Sequence, residues 1–241
     1  MGIRLDQRAP DELRPVRFTT GFQHHPAGSV LVEFGGTRVI CAVSLTPGVP
    51  RWMNEQGVPG GWLTSEYQML PGATIDRVPR ESGRSGPSGR SQEIQRLVGR
   101  SLRAVLDLTK IGARTFYVDC DVLDADGGTR CAAITGASVA LKLALGKLLA
   151  AGELTCWPLR EHVGAVSVGI VKNESLLDLC YEEDSAAEVD MNVVMTASGQ
   201  FVEVQGTGEG ATFSREQMNT LLALAEKGLK TIFRLQEEAL P

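Results

Sequence analysis

A chain of 241 residues, 43% hydrophobic and 22% charged, fits one compact domain or two small tightly packed ones, with a core large enough to fold without staples. Its net charge of −5 argues against a protein that coats nucleic acid through global charge. Five scattered cysteines, none spaced as CxxC, argue against a disulfide framework or a structural zinc site. The first fifteen residues are polar, unlike a signal peptide, and the longest apolar stretch contains Lys142 and Lys147. The expectation is a single domain over residues 1–241, soluble and cytoplasmic, with no membrane or DNA partner.

Residues 1–15 read as an irregular arm, and VRFTT (16–20) as a short alternating strand. GSVLVEFGGTRVICAVS (28–44) reads as a hairpin turning at Gly35-Gly36. Residues 46–61 are rich in Pro and Gly and read as loop; 61–70 reads as a strand. Residues 71–91 are full of Gly, Pro, Ser and Arg, the composition of a long surface loop. A helical period begins at Gln92, with Ser91 as its N-cap and an apolar face from Ile94 to Leu106. FYVDCDVL (116–123) alternates as a strand, and DADGGTR leads into an apolar helix that ends near Gly152. Two more hairpins follow, 163–171 with 175–181 and 189–196 with 201–206. A last helix starts at Ser214, where Gln217 completes a capping box. The order predicts an α+β, mixed α/β fold with helices stacked on sheet.

Three stretches carry possible chemistry. Gly127-Gly128-Thr129-Arg130 stands at a helix mouth, where free N–H groups, a hydroxyl and a guanidinium suit a phosphate. A glycine turn with Thr129 as an ordinary cap fits the same residues. DLCYEEDSAAEVDMN (178–192) gathers carboxylates, with Asp178, Asp184 and Asp190 six apart. Such a set suits Mg²⁺, or a solvated acidic loop. Between Arg77 and Arg103 seven arginines face two acids, a pattern for tracking an RNA backbone or for a merely solvated basic face. Aromatic residues are only 5%, which limits base stacking. The three histidines have neither metal spacing nor a nucleophile partner, and no G-x-S-x-G is present.

Taken together, RPVRFTT, GSVLVEFGGTRVICAVS, SEYQMLP, GRSQEIQRLVGRSLRAVLDL, DCDVLDADGGTRCAAITGA, EDSAAEVDMNVVM and EVQGTGEG make nearly the whole chain similar to the ribonuclease PH family of phosphate-dependent 3′→5′ exoribonucleases. The resemblance implies a duplicated βαβα fold of the ribosomal protein S5 domain 2 kind. It implies inorganic phosphate as co-substrate, held by Arg90, Gly128, Thr129 and Arg130. Asp184 and Asp190 become the catalytic pair, with Arg130, and the holders of Mg²⁺. Arg77, Arg80, Arg84 and Arg96 become contacts to RNA, chiefly transfer-RNA precursors with 3′ trailers. A tRNA nucleotidyltransferase activity and a hexameric ring built as a trimer of dimers are further implications. One departure is Gly72, which follows Leu70-Pro71 where the family usually has Arg. Two other classes fit less well. A non-catalytic ring subunit would be expected to lack the phosphate arginine or the Asp pair; a small-molecule phosphotransferase needs a nucleotide-binding glycine loop that does not occur here.

Overall fold

The alternating apolar runs pair into two sheets in the computed structural model, which describes Arg4, residues 6–81 and residues 86–241. The first sheet holds β1 (Val16–Thr20), β2 (Gly28–Phe34), β3 (Thr37–Pro47), β4 (Trp62–Met69) and β5 (Arg114–Asp124), in the order β1-β2-β3-β5-β4. The second holds β6 (Val163–Val171), β7 (Glu174–Leu177), β8 (Val189–Thr196) and β9 (Phe201–Gly208), in the order β7-β6-β8-β9. The three expected hairpins are present and antiparallel. Strand β4 instead runs parallel to β5, because the chain between them crosses over through a helix.

That crossover is α2 (Gly89–Val105), which follows the short helix α1 (Arg51–Gln56). Helix α3 spans Thr129–Ala150, α4 Tyr181–Ser185 and α5 Arg215–Glu238. The fold is mixed α/β, and each half closes on a long helix, α3 or α5. Helix α3 is apolar on almost every side because it packs against β2, β3 and β6. By length and composition it is apolar enough to cross a membrane, but most of it is buried inside the fold. Ile134, Leu141 and Leu145 are fully buried there, and each such side chain stabilises by about 1.5–3 kcal/mol. Helix α5 carries its stripe of Leu221, Ala225, Leu229 and Ile232 against the second sheet, and Ser214 and Gln217 form the expected reciprocal cap.

Three expectations are corrected. Residues 46–61 are not all loop. Helix α1 lies within them, set between Pro50 and a left-handed Gly57, and is too short to show an apolar period. Helix α2 begins at Gly89, not Gln92. Ser88, not Ser91, is its N-cap and accepts from the Ser91 N–H at 3.2 Å. Arg90 therefore sits inside the first helical turn rather than before it. Strand β7 stops at Leu177, where the second hairpin was expected to run to residue 181.

The reason for that stop lies in the N-terminal arm, whose described residues form no helix or strand, as expected. Arg14 donates to both carboxylate oxygens of Asp178, Nη2 to Oδ1 at 2.7 Å and Nε to Oδ2 at 3.0 Å, and its backbone N–H adds a third bond to Oδ2 at 2.8 Å. Asp178 is held with φ at 54°, which turns the chain out of the strand. Arg4 makes a bidentate pair with Glu183 at 2.6 and 2.7 Å, and Arg8 bonds the Asp178 carbonyl at 3.0 Å. All three arginines are buried. The described residues of the arm thus clamp the segment that leads to α4.

Removing one partner of a buried pair strands the other charge. Asp178→Ala should lower unfolding free energy by about 3–5 kcal/mol, measured by urea denaturation. A loss below about 1 kcal/mol would show that the pair does not hold the arm.

Candidate active site

The turn before α3 is shaped by its neighbours. Thr37 Oγ1 accepts from the Asp126 N–H at 2.8 Å and donates to the Gly127 carbonyl at 2.6 Å. Arg14 Nη1 donates to the Asp126 carbonyl. Gly127 and Gly128 both have positive φ, 73° and 67°. A Cβ on Gly127 would lie 2.6 Å from the Leu179 carbonyl oxygen, so only glycine lets this turn approach the second half of the chain. Gly128 caps α3 without a side chain, and the first helical N–H groups keep their positive end open to an anion. Thr129 begins the helix, and its hydroxyl meets the Tyr67 phenol rather than capping the backbone.

Arg130 reaches into a cleft of about 460 Å³ that it lines with Glu93, Asp190, Asn192 and Gln205 among others. Its Nη1 donates to Gln205 Oε1 at 3.0 Å, and its Nη2 lies 3.5 Å from Glu93. Gln205 Nε2 in turn donates to Glu93 at 3.3 Å and to Glu203 at 2.8 Å. The guanidinium is therefore pre-aimed by side chains from α2 and β9. Sequence reasoning missed Gln205; its amide in an otherwise alternating strand carries no chemical signature. A larger cleft of about 570 Å³ beside β4 and β5 is lined by Glu66, Glu81, Asp119 and Asp121. Burial and the Glu66 charge push both aspartates up there. That lining carries acids and no arginine, whereas the smaller cleft holds Arg130.

The acidic stretch divides by role. Asp178 and Glu183 are the arm's buried partners, while Asp184 and Asp190 are half-buried beside the cleft. Burial raises the Asp184 pKa against the opposing pull of Arg90 and Arg130. Asp190 is pushed up to about 6, first by burial and then by the Asp184 charge, again against Arg130 and Arg90. Two arginines and two aspartates, far apart in sequence, thus share one electrostatic site. Asn192 donates to Asp190 Oδ2 at 3.4 Å, while Oδ1 is buried with no hydrogen-bond partner. An unpartnered carboxylate oxygen beside a second carboxylate suits a hard cation that takes one or two protein ligands and completes its shell with water or phosphate. No group of three or more His, Cys, Asp or Glu placed to hold a metal occurs among the described residues.

Arg77, Arg80 and Arg96 are exposed, and Arg84 lies outside the described residues. The Arg-rich helical face is less uniform than its spacing implies. Arg100 pairs with Glu203 at 2.6 Å, and Arg103 stacks 5.0 Å from the Trp62 ring centroid and bonds the Leu63 carbonyl. His162 is buried between Ser138 at 3.1 Å and Lys142 at 3.2 Å, and burial with the Lys142 charge lowers its pKa to about 4. It is a neutral packing group that joins α3 to α5 through Lys142 and Glu237.

Comparison with known proteins agrees with this geometry. Residues 12–145 match the model of the 3′ exoribonuclease family, domain 1, and residues 162–228 match its domain 2. The chain belongs to the 3′ exoribonuclease family. It is 56% identical over 239 residues to Ribonuclease PH of Halalkalibacterium halodurans, covering 99% of this chain and 92% of that one. It is 59% identical over 241 residues to Ribonuclease PH of Nocardia farcinica, covering 100% and 93%. Among solved structures, an Archaeoglobus fulgidus exosome with RNA bound to the active site aligns with a TM-score of 0.79 at 26% identity, covering 98% of this chain and 92% of that one. An archaeal exosome core aligns at 0.75 and 25% identity, covering 98% and 90%.

The raised Asp190 pKa has a stability consequence. Ionised Asp190 opposes folding above about pH 6, and this opposition fades as the pH falls through 6 toward the ordinary value of 3.8. In chelator, Asp190→Asn should melt above the wild type at pH 7.5, and the gap should narrow at pH 5. Equal melting temperatures at pH 7.5 would mean the carboxylate is not strained.

Proposed function

We propose that this phosphate-dependent 3′→5′ exoribonuclease matures transfer-RNA 3′ ends, and that Arg90, Gly128, Thr129 and Arg130 hold its inorganic phosphate. The observation that carries the reading is the convergence of Arg90 and Arg130 on Asp184 and Asp190 at the open end of α3. The ring expected for the assembly is a hexamer in the cytoplasm, built as a trimer of dimers; the RNA-bound exosome neighbour supports an assembly on RNA.

The chemistry brings two anions together. The guanidiniums of Arg90 and Arg130 and the N–H groups at the helix start offset the phosphate charge and place one oxygen in line with the last internucleotide phosphorus. A bond forms from that oxygen to phosphorus, and the bond from phosphorus to the 3′ oxygen of the preceding residue breaks. The shortened RNA takes a proton on its new 3′ hydroxyl, and a nucleoside diphosphate leaves. Asp184 and Asp190 would hold Mg²⁺, which supplies charge neutralisation at the scissile phosphate. A phosphoester is exchanged for a phosphoanhydride, so excess nucleoside diphosphate drives the reverse extension of RNA, the nucleotidyltransferase direction.

Arg77, Arg80, Arg84 and Arg96 supply charge along the RNA backbone without base readout. Gly72 is exposed, and nothing lies within 4 Å of a Cβ placed there, so an arginine can be restored at that position without a clash.

The direct test is RNA with phosphate, with and without Mg²⁺, scored for nucleoside diphosphate. Arg130→Ala should reduce phosphorolysis by at least about 100-fold with an unchanged fold by circular dichroism. Arg130→Lys should rescue poorly, since it lacks the bidentate fork. Full activity in the alanine variant would remove the phosphate site. Replacing Arg77 and Arg80 together by Ala should weaken long RNA more than a short oligonucleotide and reduce the salt slope of binding by about two. An unchanged slope would remove these arginines from the RNA path.

A further inference from the structure

Tyr67 is buried, whereas Tyr117 and Tyr181 are exposed. On β4 it lines the acidic cleft together with its neighbours Glu66 and Gln68, while its buried side chain reaches the start of α3. The phenol oxygen lies 2.8 Å from Thr129 Oγ1, the first residue of α3. Neither hydroxyl has another hydrogen-bond partner among the described residues.

A pair of hydroxyls can order itself in two ways. If Thr129 donates to Tyr67, only lone pairs face the helix mouth, and an anion is repelled. If Tyr67 donates to Thr129, the threonine proton is free to point outward. The second order forms a chain, O–H···O–H···anion, in which each bond polarises the next.

We infer that Tyr67 is a positioning residue of the phosphate site: its phenol donates to Thr129 Oγ1 and turns the threonine proton toward the bound phosphate. The inference rests on the reading of Thr129 as a phosphate ligand. Two further observations support it. Burial pushes the Tyr67 pKa up, so the phenol stays protonated and a donor across the working pH. The charges of Arg90 and Arg130 both act on the same phenol. Tyr67 does not itself touch phosphate, and a strand motif such as SEYQM gives no hint of the role.

The test is a phosphate titration at saturating RNA and Mg²⁺ on Tyr67→Phe, Thr129→Val, Thr129→Ser and the double variant Tyr67→Phe/Thr129→Val. Tyr67→Phe keeps the ring and its packing. It should raise the phosphate KM by about three- to tenfold, the loss of one hydrogen bond, with kcat and the melting temperature near wild type. Thr129→Val should raise the phosphate KM at least as much, and adding Tyr67→Phe to it should cost nothing further. Thr129→Ser, which keeps the hydroxyl, should raise the phosphate KM less than Thr129→Val. A normal phosphate KM in Tyr67→Phe beside a raised one in Thr129→Val overturns the inference and leaves the phosphate site standing. A full additional loss in the double variant also overturns it, because Tyr67 would then act without Thr129. An unchanged phosphate KM in both Thr129→Val and Arg130→Ala would instead reject the phosphate site on which the inference depends.

Discussion

The buried pair between Arg14 and Asp178 is the constraint from which the site follows. One guanidinium satisfies both oxygens of the carboxylate and also reaches the Asp126 carbonyl. It therefore ties the turn before α3 to the end of β7, two segments from different halves of the chain. The left-handed Asp178 then ends the strand, and α4 follows with Asp184 on it. Arg4 on Glu183 fixes the same short helix from the other side. A five-residue helix is not stable by itself, so tertiary clamps of this kind must hold Asp184 in place.

On this frame the functional groups are arranged against their own preference. Two carboxylates stand together, and Asp190 is pushed up to about 6 by burial and by its partner. Arg90 and Arg130 offset part of this repulsion, and Gln205 and Glu93 hold the Arg130 guanidinium in place. Such local strain has to be borne by the rest of the fold, and the apolar helix α3 between the sheets supplies a rigid base for it.

Much of this was legible from residue patterns. The hairpins follow from alternating apolar runs, the first turning at Gly35-Gly36, and the α5 cap from Ser214 and Gln217. The start of α2 was misread because Gly89 and Arg90 carry no apolar period, and two serines three apart can each cap a helix. Helices α1 and α4 escaped notice because neither is long enough to repeat. The arm is irregular as its composition implies, but its clamp is not legible, because its arginines bind partners more than 160 positions away.

The sequence by itself determined the fold class, the family and the residues Arg90, Gly128, Thr129, Arg130, Asp184 and Asp190 as candidates, because short-range glycine, hydroxyl and charge patterns are local chemistry. Only the tertiary structure decided which members of each set do which work. It separated Asp178 and Glu183, neutralised by the arm, from Asp184 and Asp190, left beside the cleft. It took Arg103 out of the basic face and set it on Trp62, and it brought Tyr67 and Gln205 to residues 62 and 75 positions away. The physical reason is that a charge or a hydroxyl acquires its role from what surrounds it after burial, and long-range neighbours are fixed by packing, not by spacing along the chain.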